Sequence, residues 1–167
     1  MNTGKFNKRI YHSLKEIIRD AAAIMKQRKD IKALMQDNLI SESLRERIML
    51  AVTEVNGCRY CQYAHAKMAL KAGLSQDEID RLAEGAFHNS PQKDVPALLF
   101  AQHWAEANGS PDKEVRQKVI DTYGLHITEV MELAMRMIRM GNLLGNTFDY
   151  LLFKFFPRLY TKHQLTS

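Results

Sequence analysis

The sequence predicts an all-α protein, expected to form a compact helical domain with about six to eight helices. Apolar residues recur at three- and four-residue spacing along most of the chain. Helix-starting and helix-stopping residues punctuate these runs, and nowhere do Val, Ile and Thr alternate with polar residues as a half-buried strand requires.

The elements follow in order. Phe6, Ile10, Leu14, Ile17, Ala21 and Met25 trace one apolar stripe among Lys and Arg, which predicts a basic amphipathic helix. Residues 1–36 are expected to be an N-terminal helical arm and residues 37–167 the helical domain, with a break near Asp37-Asn38. The plainer reading of the arm is a surface helix packed on its own domain or on a neighbouring subunit. The sharper one is a helix that lies on a membrane or grips a partner. Ser41 to Asn56 reads as a helix closed by Gly57, and a further helix runs from about Cys58 to Ala72 with Gly73 as its left-handed terminator. Ser75-x-x-Glu78 is a capping box that opens the next helix toward Phe87. Asp94-Val95-Pro96 starts another, which stops at Asn108-Gly109; Ser110-Pro111 starts one ending near Gly124. Thr128 to about Phe156 is a long apolar-periodic stretch, expected to bend or divide near Gly141 or Gly145 and to end at Pro157.

Composition excludes several classes. With 46% hydrophobic and 26% charged residues in 167, the chain is neither disordered nor fibrous. No run of apolar residues is long enough for a spanning helix, and the opening MNTGKFNKRI has no apolar core of a signal peptide, so a cytoplasmic location is expected. The net charge of +5 is uneven: residues 1–35 carry nine basic and three acidic residues, and the remainder is slightly acidic. Charge confined to one terminal segment is not the footprint of a nucleic-acid surface, so no nucleic-acid partner is expected.

Two cysteines cannot make a disulfide framework, but their spacing points to chemistry. In Gly57-Cys58-Arg59-Tyr60-Cys61-Gln62-Tyr63-Ala64-His65, the residues Cys58, Cys61 and His65 stand at i, i+3 and i+7 on one helix face. Cys58 lies at the helix start, where unpaired N–H groups and the macrodipole favour a thiolate. His65, one turn beyond Cys61, is placed to carry a proton. The alternatives are a zinc site, which lacks a second Cys pair, and two buried cysteines acting as small hydrophobes. Haem attachment would need His directly after the second Cys, where Gln62 stands. Neither metal nor other cofactor is expected. Glu54 reads as a solvated carboxylate, His88 and His103 as surface or satisfied core residues, and Met131, Met135, Met137 and Met140 as core or interface filler. Glu46 fits a capping box with Ser43, unless Ser41 is the cap and leaves Glu46 free to point at the thiols.

These residues resemble the carboxymuconolactone decarboxylase/alkylhydroperoxidase D family, whose peroxidase branch carries Glu-x11-Cys-x2-Cys-x3-His. Glu46, Cys58, Cys61 and His65 match all four positions. The flanks Ile48 to Gly57 and Ala69 to Ser75 are similar as well, so the close likeness spans about residues 40–85 and a looser one continues through Pro96 to Ala101. One position departs: Tyr60 stands where the best-known peroxidase members carry histidine, and a phenol does not shuttle protons near neutrality.

The resemblance implies an alkylhydroperoxidase-like fold and a thiol-dependent peroxidase. Its catalytic residues would be Cys61 and Cys58 as the dithiol, with Glu46 and His65 as proton relay. It implies a hydroperoxide substrate, an external dithiol donor (a lipoyl-bearing or thioredoxin-like protein) and a homo-oligomer, a trimer or hexamer. The family pattern assigns peroxide attack to Cys61 and resolution to Cys58, whereas the helix dipole favours Cys58 as the thiolate. The expected arrangement is a shielded Cys61 that attacks and an exposed Cys58 that faces the donor. A dithiol–disulfide reductase or redox-responsive interaction protein is the alternative, and a lactone decarboxylase, a branch that generally lacks CxxC, is a third.

Overall fold

The computed structural model describes residues 6–36, 39–157 and 160, and contains eight helices and no strand among them. They are α1 (Leu14–Lys26), α2 (Arg28–Met35), α3 (Glu42–Asn56), α4 (Arg59–Lys71), α5 (Gln76–Ala83), α6 (Val95–Glu106), α7 (Lys113–Tyr123) and α8 (Leu125–Phe155). The all-α expectation is met, and the predicted break at Asp37-Asn38 lies outside the described residues.

The centre of the fold is α3, packed against α4, α5, α6 and α8. Every residue from Leu44 to Thr53 is buried, which is why its sequence shows no single apolar stripe. Ile48, Leu50 and Val52 meet Leu98, Phe100 and Trp104 of α6 and Met131, Leu133 and Met135 of α8 in one core. The charged residues within this buried stretch are all paired, as burial demands. Arg47 holds Glu78 with two bonds of 2.7 and 3.1 Å and reaches Asp94 at 3.2 Å, tying α3 to α5 and to the start of α6.

Local signals place most helix ends. The Ser41 hydroxyl accepts from Leu44 N–H, Gly57 ends α3 at φ +68°, and the Ser75 hydroxyl accepts from Glu78 N–H. Three expectations are corrected. The N-terminal helix does not begin at Phe6: residues 6–13 are irregular, and Ser13 caps α1 by accepting from Glu16 N–H. Of the predicted stripe, Ile17 and Ala21 are partly buried, as is Ile24 beside them, whereas Leu14 and Met25 are exposed. The irregular segment is tied down by Arg9, which donates to the Ala105 and Glu106 carbonyls, and by buried Tyr11, whose N–H donates to Thr147 Oγ1. Second, Asp112 rather than Ser110 precedes the first turn of α7. Third, α8 is one continuous 31-residue helix, not divided at Gly141 or Gly145. The reason lies at the dithiol.

Candidate active site

The cysteines sit where α4 begins. Gly57 turns the chain out of α3, Cys58 is the N-cap of α4, and Cys61 lies in its first turn. Both are free thiols, with their sulfurs 2.9 Å apart. The close approach shifts them in opposite directions. The Cys58 thiol is lowered to about 6, first by its hydrogen bond with Cys61 and then, against burial, by the Cys61 and Tyr60 backbone and the Lys8 ammonium. Cys61 is raised, first by sharing its proton with Cys58 and then by burial, while Asn142 acts the other way. Within the pair, Cys58 is thus the sulfur that gives up its proton more readily and Cys61 the one that keeps it.

Helix α8 runs directly behind this pair. A Cβ on Gly145 would lie 2.8 Å from Cys58 Sγ, and one on Gly141 3.9 Å from Cys61 Sγ. These glycines do not break the helix. Gly145 lets the α8 backbone come against the Cys58 sulfur, a reason for glycine inside a helix that overrides its poor propensity, whereas at Gly141 a methyl would make only ordinary contact.

Glu46 stands against the imidazole of His65. Ser41, not Ser43, caps α3, so Glu46 stands in the second turn with its carboxylate 1% exposed. It accepts from Arg45 Nε at 3.3 Å and from His65 Nδ1 at 2.7 Å. Arg45 is itself held by the Leu34 carbonyl at 3.0 Å and by Glu42 at 3.4 Å. A carboxylate on Nδ1 fixes the tautomer whose Nε2 lone pair can take a proton. Glu46, His65 and Cys61 line one pocket of about 380 Å³, with an apolar wall that includes Met35, Met49, Met68, Met137 and Ile138. Met137, expected as filler, packs against the core and also lines this pocket.

Cys58 does not line that pocket. It is 1% exposed, whereas Cys61 is only partly buried, so the expectation of an exposed Cys58 and a shielded Cys61 is reversed. The cause is Gly145, which brings α8 over the first sulfur, and Lys8, whose chain passes over Gly57. A smaller recess beside Cys58 is lined by Thr53, Glu54, Gln62 and Ala83. Glu54, expected as solvated, is half-buried there, and its carboxyl is raised by burial and by Glu106.

A second polar group adjoins the thiols. Asp149 is fully buried and accepts from Tyr60 O–H at 2.7 Å, Arg59 at 2.9 Å and Lys8 at 3.1 Å. Burial alone would raise this carboxyl, but the bonds from Tyr60, Lys8 and Arg59 hold it below its usual range. Tyr60 is raised, by burial and by its bond to Asp149, so it stays a phenol that donates. Asn142, also buried, donates to Thr53 Oγ1 at 3.1 Å and accepts from Asn56 at 3.1 Å. Asn142, Asn146 and Asp149 stand at i, i+4 and i+7 on α8, a polar row inside an apolar helix that was open to sequence reading and was not singled out.

Fold and site together define an all-helical protein built around a polarised dithiol with an adjoining carboxylate–imidazole pair. The chain belongs to the carboxymuconolactone decarboxylase family, whose sequence pattern matches residues 21–107, just over half its length. That membership supports a decarboxylase-like or peroxidase-like enzyme. The match includes Glu46, Cys58, Cys61 and His65 and stops before α7, so Lys8 and the α8 residues against the thiols lie beyond it. No curated protein and no solved structure matches the chain. Among the described residues no cluster of His, Cys, Asp and Glu suits a metal ion, and no helix is long and apolar enough to cross a membrane.

Proposed function

We propose that the protein is a thiol-dependent peroxidase that reduces organic hydroperoxides at Cys61. The observation that carries this reading is that Cys61 opens, with His65 and Glu46, into one apolar pocket while the Cys58 sulfur waits 2.9 Å behind it. His65 Nε2 takes the Cys61 proton, and the Glu46 carboxylate stabilises the resulting imidazolium. The Cys61 thiolate attacks the distal peroxide oxygen, the O–O bond breaks, and His65 returns the proton to the departing alkoxide. The alcohol leaves, and Cys61 is a sulfenic acid. The Cys58 thiolate then attacks the Cys61 sulfur, a disulfide forms, and the departing hydroxide takes a proton from solvent and leaves as water. An external dithiol, such as a lipoyl-bearing or thioredoxin-like protein, takes the disulfide back to two thiols. The methionine and aliphatic wall suits an organic hydroperoxide better than hydrogen peroxide.

Cys58→Ser given one equivalent of an alkyl hydroperoxide should accumulate a sulfenic acid at Cys61 that dimedone captures; Cys61→Ser should show little. Labelling at Cys58 instead reverses the roles. If no form consumes peroxide with any dithiol donor but the wild type turns over disulfides, the protein is a dithiol–disulfide reductase, a reading favoured by the lowered Cys58 thiol. Lactone decarboxylation insensitive to thiol alkylation would favour the other branch of the family.

A further inference from the structure

Apart from Met35, which lines the site pocket, the exposed residues of α1 and α2 are left unused by the site. Leu14, Ile18 and Met25 are 70%, 60% and 55% exposed and, with exposed Ala22, form one narrow stripe along α1. Beside that stripe stand Lys15, Arg19 and Lys26, all exposed, and α2 adds exposed Arg28, Lys29 and Lys32. The acidic residues go the other way. Glu16 and Asp20 lie on the inward side of α1, Glu16 accepting from His12 N–H and Asp20 from Tyr11 O–H at 2.8 Å and from Arg139. Asp30 of α2 is likewise partly buried. Arg19 has one exposed contact, to Asp20 at 3.5 Å. Two further cations of the segment, Lys8 and Arg9, are committed inward to Asp149 and to the Ala105 carbonyl. What faces out is therefore apolar or cationic, with no exposed acid among residues 6–36.

We infer that this outward face of α1–α2 docks on an anionic lipid surface, the helix lying in the interface plane with Leu14, Ile18 and Met25 inserted and the six cations at the headgroups. A narrow apolar stripe beside Lys and Arg on one helix face is the arrangement that binds such surfaces. A second copy fits the face poorly, because a two-fold contact there would bring six cations against six. The length and polarity of α1 suit lying on the membrane, since no helix among the described residues can cross one.

The test is co-sedimentation of the full-length protein with vesicles of phosphatidylcholine alone and of phosphatidylcholine mixed with phosphatidylglycerol. The wild type should pellet with the anionic vesicles and not with the neutral ones, and added salt should release it. The triple changes L14Q/I18Q/M25Q and K15Q/K26Q/K29Q should each weaken binding by about tenfold or more. Thiol reactivity and helix content should match wild type, because none of these side chains packs in the core. The wild-type lipid and salt dependence needs no variant and stands if one fails to fold. Absence of binding to anionic vesicles, equal binding to both, or wild-type binding by the folded variants overturns the inference. So does loss of self-association in L14Q/I18Q/M25Q, which would give the face to a second copy. Capture of an acidic protein without vesicle binding would give it to a protein partner and overturn it equally.

Discussion

A thiol taken out of water ordinarily holds its proton more tightly, yet Cys58, almost fully buried, is lowered to about 6. Its neighbour supplies the difference, so the two sulfurs titrate as a pair. Thiolate absorbance in the ultraviolet should rise to one equivalent per chain with a midpoint near 6 and then stay level through neutral pH. In Cys61→Ala the midpoint should climb toward the ordinary thiol value of about 8.5; an unchanged midpoint would mean that Lys8 and the backbone, not Cys61, hold the charge. The sign for stability follows from the same shifts. The share from Cys58, whose folded value is depressed, is complete above the ordinary thiol range and lost as pH falls through about 6. Cys61, shifted upward, contributes below that range and loses its share at alkaline pH. Glu46 gives the second residue-scale prediction. Glu46→Gln should slow reaction of Cys61 with hydroperoxide by about a hundredfold or more, as loss of acid–base assistance does. It should cost no more than about 1 kcal/mol of stability, because Arg45 keeps Leu34 and Glu42 as partners. A variant that reacts like wild type but melts early would return Glu46 to a structural role. The residues of the motif were legible because their spacing is local. The inversion of burial between the two cysteines was not, since it depends on α8 and Lys8, which are far away in sequence.

At the scale of elements, α8 shows where sequence periodicity misleads. Its apolar repeat was plain, but Gly141 and Gly145 read as points of weakness because a glycine inside a helix costs about 1 kcal/mol relative to alanine. The structure gives them different work. Gly145→Ala puts a methyl 2.8 Å from Cys58 Sγ, in a spot with no room, whereas Gly141→Ala adds one at an ordinary 3.9 Å from Cys61 Sγ. Gly145→Ala should lower stability by about 1–3 kcal/mol through overpacking, or displace Cys58 and move its titration midpoint. Gly141→Ala should be neutral or stabilising by up to about 1 kcal/mol, the gain in helix propensity. Thermal melts with thiolate titration on both variants decide it, and equal behaviour of the two would refute the contact argument. Helix ends fared better at the sequence level, because Ser41, Gly57 and Ser75 act on their own turns. The arm fared worse. Phe6 to Ser13 carries a helical repeat by composition, but Arg9 and Tyr11 make long-range bonds that an irregular backbone reaches and a helix would not.

At the scale of the whole molecule, the second half of α8 carries more exposed apolar surface than a lone chain needs. Leu144, Phe148, Leu151 and Phe155 stand at i, i+4, i+7 and i+11 and are between 41% and 60% exposed. The inner side of the same helix is spent on Asn142, Asn146 and Asp149 against α3, α4 and the N-terminal segment, so among the described residues the apolar row stays largely uncovered. Covering the exposed half of each side chain is worth about 1 kcal/mol apiece, enough together to favour association once the contact recurs by symmetry. Such a row left open on a monomer would be an aggregation risk. The row also adjoins the site, since the Phe148 and Tyr60 rings lie 6.4 Å apart and Tyr60 holds Asp149 beside the thiols. We therefore expect a homo-oligomer in sedimentation at micromolar concentration, and expect Phe148→Lys with Leu151→Lys to give monomers that keep their helix content. The same variant should leave anionic-vesicle binding through α1 intact, because the two faces are on different helices. A wild type that sediments as a monomer refutes the assembly; an oligomer that survives both lysines places the contact elsewhere than on this row.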